Sequence, residues 1–202
     1  MKRPISLAVV LALALGACST KKESAPSRTA TEQLLISTAA DRAMDGLDLT
    51  ISPGTKVFVN AENFEGTDSK YAVAAIRDRL LRKGAALVAD RGQAQAVVEV
   101  RAGALSIDES ETLIGIPSYD VPIPLASGLL KLPEVALYKK KVRKGVAKIA
   151  ATSYGTADGR LIDAADPEIG YSYTNESRVL LFFSWRSSDL PKEEGDGPLD
   201  EW

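Results

Sequence analysis

The chain contains no histidine and a single cysteine among its 202 residues. Without histidine there are no Ser–His–Asp triads, no imidazole general bases and no imidazole metal ligands. One cysteine cannot form an intrachain disulfide, and Cys/His zinc spacing is impossible. Neither a GxxxxGK[ST] phosphate loop nor a GxGxxG dinucleotide fingerprint occurs. The formal charge of -2 supplies no overall attraction to nucleic acid. Aromatic residues are scarce, at 6%. After residue 17 no apolar run approaches the roughly 20 residues that a spanning helix needs; Val179–Phe183 has only five. With 45% hydrophobic and 26% charged residues, the composition is that of a globular chain long enough to bury a core.

What is present begins at the N-terminus. Lys2 and Arg3 precede an apolar run from Ile5 to Leu15, the pattern of a secretory signal peptide. The run ends in Leu15-Gly16-Ala17-Cys18, which resembles the lipobox of bacterial lipoproteins. A thiol at Cys18 can carry a diacylglyceryl group before cleavage exposes its amine. The expectation is therefore a signal peptide over 1–17, lipidation of Cys18 and attachment to a membrane through the acyl chains. Ser19 stands where an inner-membrane retention signal would have Asp, so sorting rules in Gram-negative lipoproteins imply the outer membrane, facing the periplasm. Residues 18–28 are small and polar and read as a flexible tether.

The mature chain reads as one α+β domain over 29–186, with a mostly antiparallel or mixed sheet and two helices packed on one face. Thr29-Ala30-Thr31-Glu32 is a capping box, and Ile36, Ala40, Ala43 and Leu47 recur at helical spacing over 31–46. A short strand is expected at Lys56–Asn60. A second helix follows a cap at Thr67 or Asp68, with Val73, Ile76 and Leu80 on one face and Asp78 and Arg82 paired outside. Gly84 ends it, and strands follow over 85–89 and 96–105; Val98, Val100 and Ala102 alternate there with Glu99 and Arg101. Segments 135–142 and 146–154 read as two further strands, and Asp158-Gly159 as a turn. Arg178–Arg186 reads as a strand covered on both faces, and the acidic residues 187–202 as a disordered tail.

Residues 113–133 hold four prolines and two glycines, which argue against a regular strand or a long helix. They are nevertheless apolar. Either they fold over the end of the core, or residues such as Ile114, Ile116, Ile123 and Leu129 meet a partner: another copy of the chain, an envelope protein or the membrane. A second charge feature stands apart. Lys139, Lys140, Lys141, Arg143, Lys144 and Lys148 form a dense basic stretch. One reading is a solvated hairpin end that discourages edge pairing; the other is a site for an anionic partner. No cofactor or metal is expected, since Asp163, Asp166 and Glu168 before Gly170 lack the spacing of a calcium loop.

The segments at 27–43, 57–66, 84–108, 113–117 and 132–141 together resemble a family of uncharacterised bacterial lipoproteins of unknown function. More remotely, the strand–helix–GAALVAD–VVEVRAG pattern is similar to surface-exclusion lipoproteins of conjugative plasmids, and AKIAATSYGTADGRLI to curli-secretion-type lipoproteins. Those resemblances imply a non-enzymatic protein of oligomeric envelope assemblies, acting in envelope assembly or maintenance. A different class stays open: an envelope hydrolase or small-ligand binder using carboxylates such as Asp41, Asp45 and Asp68.

Overall fold

The computed structural model describes residues 28–122, 129–180 and 182–191. Cys18, Ile123 and residues 192–202 lie outside the described residues, as does the side chain of Leu129.

The described residues fold as α+β, with a six-stranded mixed sheet, a separate two-stranded sheet and two α-helices. Helix α1 (Ala30–Gly46) begins at Thr29 with both bonds of the capping box: the Thr29 hydroxyl accepts from the Glu32 amide, and the Glu32 carboxylate accepts from the Thr29 amide. Strand β1 (Lys56–Asn60) is followed by α2 (Ser69–Arg82) and the two-residue β2 (Ala86–Leu87). Asp68 stands at the N-cap of α2, where its carbonyl accepts from the Tyr71 and Ala72 amides, but its side chain makes no capping bond. It sits in a left-handed conformation, and its carboxylate accepts two 2.7 Å bonds from Arg28. Strand β3 (Ala96–Ile116) leads through β4 (Tyr119–Pro122) and β5 (Leu129–Leu132) into β6 (Val135–Gly155). Strands β7 (Leu161–Val179) and β8 (Phe183–Ser188) complete the order. The large sheet runs β2-β1-β3-β6-β7-β8; β1 is parallel to its two neighbours and every later pair is antiparallel.

One core joins the helices to the sheet. Ile36, Ala40 and Ala43 of α1 and Ile76 and Leu80 of α2 share it with Val57, Val98, Val100, Ala147 and Ile149. The small residues of α1 let its backbone lie almost on the sheet. A Cβ added at Gly145 would strike the Leu35 carbonyl, and one at Gly170 would strike the Ala39 carbonyl and Ala43 amide. Ser172, fully buried beside them, donates a 2.6 Å bond to the Leu35 carbonyl.

Three expectations are corrected. Segments 135–142 and 146–154 are a single strand of 21 residues, because Gly145 is a point of close approach and not a break. Residues 113–133 are not all irregular: β3 persists to Ile116, and Tyr119–Pro122 pairs with Leu129–Leu132. Pro117 and Pro133 stand between strands, where no ladder bond is lost. Arg178–Arg186 is not one covered strand. A turn at Leu180, with φ of 50°, separates β7 from β8, and Phe182, Phe183 and Trp185 are 85%, 68% and 53% exposed.

Candidate functional site

Beyond the helices the sheet continues as an arm. Strand β1 covers β3 only from Ala96 to Glu99, whereas β3 and β6 stay paired as far as Ile116 and Val135. Strands β7 and β8 join the same region, so the arm is four strands wide. Strand alternation gives it two unlike faces.

On the face that carries α1 nearer the core, the side chains form an ionic ladder. Glu109 receives Lys141 at 2.8 Å and Arg143 at 2.9 Å. Lys139 lies 3.1 Å from Glu111 and 2.9 Å from Glu134, and Arg186 lies 3.1 Å from Glu176. Lys141 and Arg143 hold the Glu109 carboxyl below the usual carboxylate range; the Glu134 and Glu111 carboxylates raise Lys139. Each pair is partly or fully open to solvent and worth a few tenths of a kcal/mol up to about 1 kcal/mol. Their joint effect is on register, because a shift of one residue along the strand would put each partner on the wrong face.

Among the described residues, the opposite face has no helix upon it. Its direction follows from Gly170 and Ser172, which point at α1, so Ile169, Tyr171 and Tyr173 point away and are exposed. Lys140, Lys144 and Lys148 stand on this side, with the Lys144 ammonium 3.9 Å from the centre of the Tyr171 ring. The six basic residues are therefore split. Lys139, Lys141 and Arg143 are matched with carboxylates on one face, and Lys140, Lys144 and Lys148 occupy the other. All six lie within β6, spread from Lys139 near the far end of the arm to Lys148. Ile114 and Ile116 are exposed at the far end of β3.

The carboxylates considered for acid–base chemistry are dispersed among structural partners. Asp41 accepts from the Tyr71 hydroxyl at 3.0 and 3.1 Å, Asp45 pairs with Arg79 at 3.1 Å, and Asp68 holds Arg28. Burial, followed by the bond to Asp41, raises the Tyr71 phenol. Asp163 accepts the Thr50 amide at 2.6 Å and its neighbour's amide at 2.9 Å, which lowers its carboxyl. Leu47, Leu49, Ile76, Arg79, Leu80 and Lys83 line an apolar crevice of about 10 Å³, room for about one water. Asp68, Ser69, Lys70 and Tyr71 line a shallow, open depression. Among the described residues no three His, Cys, Asp or Glu side chains are grouped to hold a metal ion, and no helix is long and apolar enough to cross a membrane.

What sequence reasoning missed is the pair of sheet edges bounding the arm. Edge position is a property of topology, and the alternation within each strand carries no sign of it.

No curated protein matches the sequence. A family model does, over residues 12–164, from the N-terminal apolar run through the start of β7. The chain belongs to that family, a family of unknown function designated DUF6655.

Proposed function

We propose that this protein is a lipid-anchored envelope protein, held through Cys18 on the periplasmic side of the outer membrane, that works without catalysis through protein contacts. The observation that carries the contact role is the arm. Phe182, Phe183, Trp185, Ile114 and Ile116 are exposed along it, away from the core that α1 and α2 close. Exposed apolar side chains gathered in one region mark interaction surfaces more often than scattered ones do. The anchor rests on the signal run and on Leu15-Gly16-Ala17-Cys18, where the only cysteine of the chain stands at the acylation position. Tethering is geometrically compatible with both: Arg28 is clamped to Asp68, and the ten steps back to Cys18 reach at most about 33–36 Å. The arm would then work close to the membrane surface.

The test is metabolic labelling with radioactive palmitate of the full chain and its Cys18→Ser variant. The wild type should carry label and migrate as the processed form, and the variant should remain unprocessed and unlabelled. Label on the variant would overturn the anchor.

A further inference from the structure

The arm is bounded by two strand edges that no described residue covers. On one side, β3 loses β1 after Glu99, and the last backbone bond made to that edge is from the Thr67 amide to the Leu105 carbonyl. On the other side β8 is the terminal strand of the sheet. The edges stand at the same level. Following the rungs across, Glu109 faces Arg143, Arg143 faces Thr174, and Thr174 faces Ser188; Ile114 leads through Tyr138 and Val179 to Phe183. Strands β3 and β8 run in opposite directions, so one could add to the other in antiparallel fashion.

We propose that the protein self-associates head to tail, with β8 (Phe183–Ser188) of one copy pairing with the β3 edge at Glu109–Ile114 of the next. This deepens the contact role argued above and does not need the anchor. Uncovered edges are normally blunted by lysine, proline or a bulge. Residues 183–188 (FSWRSS) and 109–114 (ESETLI) contain no lysine and no proline, and neither of the register shifts in β3 falls between Glu109 and Ile114. Level pairing also matches the faces. It sets Arg186 opposite Glu111 on the ladder side and Phe183 opposite Ile114 on the open side, extending the ionic ladder and covering exposed apolar groups. Pairing β3 with β3 would instead bring Glu109 and Glu111 against their own copies, which is unfavourable. A two-fold pairing of β8 with itself would leave β3 uncovered. The head-to-tail contact is heterologous, so it builds assemblies larger than dimers.

The test uses the full chain in its membranes with Ser110→Cys and Ser187→Cys combined. Both serines are exposed and take no part in the ion pairs. Within one chain they are three strand spacings apart, about 14 Å, too far for a disulfide. Mild oxidation should therefore yield a ladder of linked dimers, trimers and larger species, while each single variant stays unlinked. A folded double variant that remains monomeric overturns the proposal, and so do dimers from Ser187→Cys alone, which would mean two-fold pairing of β8. A charge exchange gives a second readout. Glu111→Arg and Arg186→Glu should each weaken association about two- to fivefold, and the pair should restore it; no restoration argues against this register. The wild type reports separately on the anchor. A disulfide dimer there means a free Cys18 thiol, which overturns lipidation, and the ladder is then read in the Cys18→Ser background.

Discussion

Replacing Gly170 by alanine should detach α1 from the sheet. The added carbon would meet the Ala39 carbonyl and the Ala43 amide, both backbone atoms of a helix held by its own hydrogen bonds. A flexible side chain could swing aside; a helix backbone must move as a body. Overpacking of this kind costs about 1–3 kcal/mol, and the rigidity of the obstacle places it toward the upper end. For a domain of this size each kcal/mol lowers the melting temperature by about 2–4 °C, so a loss of about 6–12 °C is expected. The size of the loss is diagnostic. In a strand with open space above it, glycine to alanine should be stabilising by about 0.5–1 kcal/mol, because alanine loses less backbone entropy on folding. Gly159→Ala is the control: nothing lies within 4 Å of its added carbon, and only its φ of 68° opposes the change, at about 1–2 kcal/mol. Thermal melts followed by far-ultraviolet circular dichroism measure both. Hydrogen exchange should also speed up in the α1 amides of Gly170→Ala. A Gly170→Ala protein that melts within about 1 °C of the wild type, with α1 still protected, would refute the close approach of helix and sheet.

Thr174 is buried at 2% exposure, and its hydroxyl has no hydrogen-bond partner among the described residues. Thr174→Val keeps the shape and removes an unsatisfied polar group, so the melting temperature should rise by about 2–4 °C, equivalent to about 1 kcal/mol; a fall would show that the hydroxyl has a partner. The Thr50 amide lowers the Asp163 carboxyl, so its stabilising contribution is complete above the unfolded pKa, near 3.9, and is lost as pH falls through the folded value. Asp163→Asn should therefore flatten the dependence of melting temperature on pH below about 4, and an unchanged slope would rule out this contribution.

The helical layer and the inner sheet were readable because local chemistry and tertiary packing agree there. The capping box at Thr29–Glu32 starts α1 at the expected place, and Val98, Val100, Ile76 and Leu80 occupy one core as their spacing implies. Asp68 is the N-cap of α2 as expected, although its carboxylate binds Arg28 in place of a helix amide. The arm was obscured by residues with more than one structural meaning. Gly145 suits a break, yet it serves a helix crossing; the prolines at 117 and 133 suit an irregular loop, yet they separate two regular hairpin segments. The aromatic run at 178–186 looks like a buried strand because hydropathy does not show that Leu180 turns the chain. Among the site residues, alternation along a strand already implied that consecutive lysines part to opposite faces. Which carboxylates meet them depends on the register of β3 and β7, which one chain's pattern cannot supply.

The bond from Ser172 to the Leu35 carbonyl joins positions 137 residues apart, and this separation sets an order of events during synthesis. Helix α1 is among the first parts of the domain to be made, and the strand against which its alanine face closes is among the last. The β3–β6 hairpin can zip from its turn as soon as its own residues are present, through contacts much closer in sequence. A growing chain would thus carry a formed hairpin beside a helix whose apolar stripe is still wet, exposed to chaperones and to misassociation until β7 arrives. The final step that makes the domain one cooperative unit is the return of the C-terminal strand to the N-terminal helix.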